Sequence, residues 1–117
     1  MSTLAIVEAY FDRLKAHADW QSLFAENVLY RQYTSPVKKL DGKAAFLEGT
    51  KRFYASVAAV DIREVIVDGA MVCVTTHYQL QRPEVLPIES DVAEVFEVRD
   101  GKITAFAIYF DTAPFPK

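Results

Sequence analysis

The sequence predicts an α+β fold: a cone-shaped, curved antiparallel sheet wrapped over helices near the amino terminus. Three observations carry that expectation. Apolar residues recur at helical spacing in two early segments, the pattern changes to period two after Val57, and two Asp-Gly pairs, Asp68-Gly69 and Asp100-Gly101, punctuate the second part as hairpin turns. Helix, strand, helix and then a meander of long strands is an α+β order, and a sheet bent over helices leaves a cavity.

Each element has its own signal. Leu4, Val7, Phe11 and Leu14 form an apolar stripe with Tyr10 at its edge, so the first helix runs from about Thr3 to about His17. Asp19 starts a short turn that holds Trp20 and Leu23, and "NVLYRQY" reads as a strand from Val28 to Tyr33. Ser35 and Pro36 end that strand. Asp41 is placed to cap a second helix in which Phe46, Gly49, Phe53 and Val57 follow the same period. Four strands come next: Val60 to Val67, Ala70 to Gln81, Ile88 to Arg99 and Lys102 to Phe110.

At 117 residues the chain is expected to be one domain, 1–117, large enough for a real core. A net charge of -3 with no Lys/Arg cluster beyond "VKK" at Val37 to Lys39 argues against nucleic acid as partner. The single cysteine, Cys73, allows no intrachain disulfide, reads as a core residue and suits a reducing compartment. No segment is long and apolar enough to span a membrane, and "MSTLAIVEAYFDRL" lacks the basic start of a signal peptide, so the expected location is cytoplasmic. His77 and His17 are too far apart, and no other ligand-spaced cluster exists, so neither a metal site nor a cofactor is expected.

The order of elements resembles the nuclear transport factor 2-like superfamily. "FEVRDGKITAFAIYFDTAPF" is similar to the final hairpin of its SnoaL-like members, "LFAENVLY" to the acidic loop before their first strand, and "LDGKAAF" to the start of their long helix. The resemblance covers nearly the whole chain. It implies the cone fold and leaves function open, because isomerases, dehydratases, cyclases, epoxide hydrolases and noncatalytic proteins share it.

Strand parity then selects candidates. Phe106, Ile108 and Phe110 share one face of the last strand and are assigned to the cavity; Ala105, Ala107 and Tyr109, with Ala93 and Val95, form an outer face. In the superfamily that outer face often forms a homodimer. In "VAEVFEV" the carboxylate Glu94 interrupts the apolar row of Val92 and Phe96, so it is the candidate acid or base. Hairpin symmetry is expected to set Thr75 opposite Glu94 and His77 opposite Val92, making His77 its diagonal neighbour and partner. Gln79 extends this polar strip, and Tyr30, Gln32 and Tyr10 are candidates for orienting a ligand. The architectural alternatives are a Glu94 that fixes the core through a buried tyrosine or histidine, a rim His77, and a Tyr10 that packs against the sheet.

Resemblance to ketosteroid isomerase maps its oxyanion-hole tyrosine onto Tyr10 and its protonated carboxyl near Glu94, but its base falls on Gln32, which takes no proton. Resemblance to limonene-epoxide hydrolase matches its tyrosine to Tyr30 and its asparagine to Gln32. That enzyme's Asp-Arg-Asp set falls on His77, Thr75 and Ile108, so its route to epoxide hydrolysis is not expected here. Asp111 lies beyond the wall that Phe110 ends and is read as a strand-end cap. Two functional expectations result. One is a protein that binds a small, largely apolar molecule and performs proton transfer of isomerase, dehydratase or cyclase type. The other is a noncatalytic homodimeric module whose cone is plugged by Phe46, Phe53, Phe106 and Phe110. A continuous cavity of at least about 300 Å³ that reaches solvent separates them.

Overall fold

A computed structural model describes residues 2–83 and 86–115. Helix α1 covers Thr3–Lys15; the Ser2 hydroxyl accepts the Ala5 N–H at 3.1 Å, and Arg13 and Lys15 in the last turn suit the negative end of the helix dipole. It buries Ile6, Val7, Tyr10, Phe11 and Leu14, one face of a 3.6-residue period. His17 lies past its end with φ 53°, reversing the chain. A single 3-10 turn, Gln21–Leu23, follows, with the Asp19 carboxylate accepting the Ser22 N–H at 3.1 Å.

Strand β1, Phe24–Gln32, starts earlier than its sequence pattern suggested, and a short strand β2, Lys39–Asp41, pairs with it. Asp41 does not cap the next helix as expected. It belongs to β2, where its carboxylate takes the Arg31 guanidinium at 2.6 Å, and Gly42, at φ 92°, holds the cap position. Helix α2, Lys43–Ser56, approaches β2 so closely that a side chain at Gly49 would run into Leu40. Val57, placed at the helix end by periodicity, instead opens β3.

The remaining strands are β3, Val57–Asp68; β4, Met71–Leu80; β5, Ile88–Arg99; and β6, Lys102–Phe110. They form one curved, open six-stranded sheet in the order β2-β1-β6-β5-β4-β3, antiparallel except where β1 runs parallel to β6. In the β5–β6 hairpin Asp100 and Gly101 both take positive φ, 52° and 75°, as a two-residue turn matched to strand twist requires.

The closed end of the cone is aromatic. Tyr10 meets Phe11, Trp20, Phe24, Phe96 and Phe106 with ring centroids 4.9 to 5.9 Å apart, and Phe96 stacks on Phe106 at 4.6 Å. Such pairs contribute roughly 0.5–1.5 kcal/mol each beyond their buried area. This end is closely packed, and the other end stays open.

Candidate functional site

The open end holds a cavity of about 490 Å³. Phe106, Ile108 and Phe110 of β6, Phe53 of α2 and Val92 of β5 give it apolar walls, and its mouth runs past Thr34, Pro36 and Thr112, all exposed. Glu94 faces into it from β5. The residue is 2% exposed, which makes it the most deeply buried charged residue among the described ones.

The partners of Glu94 are hydroxyls. Tyr78 donates from β4 to the carboxylate, its oxygen 2.9 Å from Oε1 and 3.0 Å from Oε2, and the Thr76 hydroxyl lies 2.9 Å from Oε2. Burial pushes the Glu94 pKa up to about 7, against the opposing pull of the Thr76 and Tyr78 hydrogen bonds. No cation stands beside it among the described residues. A carboxyl near neutrality is divided between acid and base forms, the condition for taking and returning a proton.

Tyrosines enclose this group. Burial raises the pKa of Tyr78, Tyr54, Tyr30 and Tyr10, and the negative Glu94 adds to the rise in all four. They therefore remain neutral phenols at physiological pH. Tyr30 donates to the Gln32 amide oxygen at 3.1 Å, and the Gln32 amide nitrogen is held by Ser35 and by the Val37 carbonyl. Both residues line the cavity in fixed positions.

Three expected site residues lie elsewhere. In the β4–β5 register Val74 faces Glu94, Thr76 faces Val92 and His77 faces Asp91. The expected pairing is off by one residue, and one step sends every side chain to the opposite face. His77 is therefore on the outer face, 2.8 Å from Asp91 and 3.1 Å from Glu89, and is not the partner of Glu94. Those carboxylates raise its pKa. Gln79 shares that outward parity and is exposed. Cys73, expected in the core, is half-buried on the same outer face opposite Val95. Tyr10 is wholly buried behind the cavity, where its hydroxyl bonds that of Tyr54 at 2.7 Å. It packs and orients Tyr54, whose ring lines the pocket.

A family model described as a SnoaL-like domain matches residues 7–106. This chain belongs to the SnoaL-like domain family. Solved structures agree in fold. An epoxide hydrolase of the limonene-epoxide-hydrolase type from M. tuberculosis is 25% identical, with 96% of this chain and 84% of that chain covered and a TM-score of 0.79. A Catenulispora acidiphila protein with a ketosteroid isomerase-like fold, in complex with trimethylamine, is 18% identical over 93% of this chain and 87% of that one, at TM-score 0.75. TerC, co-crystallised with polyporic acid, is 18% identical over 97% and 94% of the two chains, at TM-score 0.79. No curated protein matches this chain by sequence.

Within this SnoaL-like domain, sequence reasoning missed Thr76, Tyr78 and Tyr54. A signal for the first two was present. The even positions of β4, Val72, Val74, Thr76, Tyr78 and Leu80, form its more apolar row, and all five are buried. Asp111 does close the strand end, its carboxylate accepting the Ala113 N–H at 3.0 Å. No group of three or more metal-ligating side chains gathers among the described residues, and no helix there is long and apolar enough to cross a membrane.

Proposed function

We propose that the cone binds a small, largely apolar molecule and moves a proton on it, with Glu94 as both base and acid. The observation that carries this is a buried carboxyl with a pKa of about 7, held among the described residues only by hydroxyl donors, on the wall of a cavity that reaches solvent. In the forward step the Glu94 carboxylate takes a proton from a carbon beside a carbonyl. The C–H electron pair moves toward the carbonyl oxygen to give an enolate. Glu94 then returns the proton to the same carbon or a conjugated one, so no oxidant or reductant is needed. Isomerisation, dehydration and cyclisation all contain such a step. Tyr30 and Gln32 would orient the ligand against Phe106, Ile108 and Phe110.

Two structural neighbours were crystallised with small molecules, which favours a ligand-binding cone. The plugged-cone alternative has less support: Phe46 and Phe106 are buried, yet about 490 Å³ remains open beyond them. Epoxide hydrolysis by the charged-set route also lacks support. His77 and Thr75 point away from the cavity and Ile108 carries no charge.

The test is proton exchange. In D2O at pH 7.5, 2-tetralone should exchange its α-protons faster with the parent protein than with buffer, and Glu94→Gln should return the rate to that of buffer. A parent protein that binds 2-tetralone without accelerating exchange would refute the proton-transfer reading.

A second reading concerns assembly. On the outer face Leu29 and Tyr109 are 46% and 44% exposed and flank the half-buried Ala93, Val95, Ala105 and Ala107, an apolar strip across three strands. We propose that this strip pairs with a second copy of the chain, and that the lone thiol of Cys73 suits a cytoplasmic setting. Sedimentation should give a dimer for the parent and a monomer for Ala107→Arg; a monomeric parent would overturn the assignment.

A further inference from the structure

The cavity has two formally charged side chains in its lining, Glu94 and Arg82. Arg82 lies two residues past the end of β4 and also borders the adjoining groove that contains Arg52. Its Nε is enclosed by protein and finds no hydrogen-bond partner among the described residues. No ion pair there involves its guanidinium. The contrast with Arg31 and Arg63 is instructive, because each of those has an Asp within 2.8 Å.

An arginine keeps its charge at every physiological pH, and a buried donor without an acceptor is costly. The two Nη groups, which also have no hydrogen-bond or ion-pair partner among the described residues, form a fork that fits the two oxygens of a carboxylate. The position fixes the ligand's direction. Arg82 follows Tyr78 by four residues, about 13 Å of extended chain at ~3.3 Å per residue. A ligand anion would be repelled by an ionised Glu94 and attracted by Arg82, and the apolar walls formed by Phe53, Phe106 and Phe110 lie in the same cavity as both groups. Ser90 and Thr112 supply hydroxyls to that lining.

We infer that the cone selects amphipathic carboxylates, with the carboxylate on Arg82 and the apolar body turned toward Glu94. The inference rests on the ligand-binding reading above and narrows it to a chemical class. The ligand's reacting carbon is then at the end remote from its charge.

Two probes of matched shape test it: 2-naphthylacetate and 2-naphthaleneethanol, titrated at pH 7.5 and followed by naphthalene fluorescence. The acid should bind the parent at least tenfold more tightly than the alcohol. Arg82→Gln should bring the two within twofold by weakening the acid alone, Arg82→Lys should fall between, and Arg52→Gln should leave the preference unchanged. Circular dichroism establishes that each variant is folded, and the parent's preference for the acid should shrink between 0.1 and about 1 M NaCl whatever the variants do. Equal affinities in the parent, or an acid preference that survives Arg82→Gln, would overturn the carboxylate assignment while alcohol binding still supports the cone. If neither probe binds the parent, the ligand-binding reading itself falls, and this inference with it.

Discussion

Replacing Glu94 by glutamine should make the protein more stable at neutral pH, and the size of the gain follows from the site. The folded pKa of about 7 stands above the ordinary value of 4.5, a rise caused by burial. A carboxyl with a raised folded pKa leaves stability intact below the unfolded pKa; stability is then lost as pH rises toward and through the folded one. The window is therefore pH 4.5 to about 7. At 1.36 kcal/mol per unit, about 2.5 units give roughly 3 kcal/mol. Glutamine keeps the shape and an acceptor for the Tyr78 hydroxyl, and it cannot ionise. Urea unfolding followed by circular dichroism between pH 4.5 and 8 is the assay. The parent should lose about 3 kcal/mol more than Glu94→Gln across that range, or roughly 12 °C in melting temperature at about 4 °C per kcal/mol for a chain of this size. His77 and the exposed carboxylates titrate alike in both proteins, so their contributions cancel in the comparison. Parallel pH profiles, or a glutamine variant destabilised at neutral pH, would show that Glu94 is ionised and satisfied in the fold, and would remove the basis for a poised proton carrier.

Other outcomes follow from individual contacts. Tyr78→Phe removes a donor to the carboxylate, so the Glu94 pKa measured by NMR should move further up, with about 1–3 kcal/mol of stability lost near neutral pH. Phe106→Ala, at the 4.6 Å stack with Phe96 and at the cavity wall, should cost about 3–5 kcal/mol in urea unfolding. His77→Gln should leave the Glu94 titration untouched. Because Asp91 and Glu89 raise the His77 pKa, its contribution is present below its unfolded value and fades as pH rises through the folded one. The variant should therefore differ from the parent in thermal melts at acid pH and converge with it as the pH rises.

Much of the fold was legible because its signals are local. The apolar stripe of α1 and the Asp100-Gly101 turn each state a period or a required dihedral within a few residues. Short β2 carried no such signal: three residues, Lys39–Asp41, have too little alternation to register, and they took Asp41 away from the helix cap. The candidate site was half legible for the same reason. Glu94 and the β6 wall followed from alternation within a single strand. His77 required the register between two strands, which depends on the connection from Gln81 to Pro87, and there an error of one residue exchanged His77 and Gln79 for Thr76 and Tyr78. Arg82 stands in that irregular connection, where no period exists to read.

The surroundings of Glu94 favour the proposed chemistry over a purely architectural role. A structural buried carboxylate is ordinarily matched by a cation or by several N–H donors, which stabilise its charge and lower its pKa. Here the donors are two hydroxyls, and burial outweighs them. A hydroxyl differs from a cation in being able to donate to the carboxylate or accept from the carboxylic acid, so Thr76 and Tyr78 accommodate both protonation states without rearrangement of the strands. The Thr76 hydroxyl even has a second acceptor, the Val92 carbonyl at 3.2 Å, to which it can turn when the carboxyl is neutral. A core designed only to be stable has no need of a group that tolerates both states. A site that lends and recovers a proton does, and it must keep that group facing the cavity where the proton is exchanged.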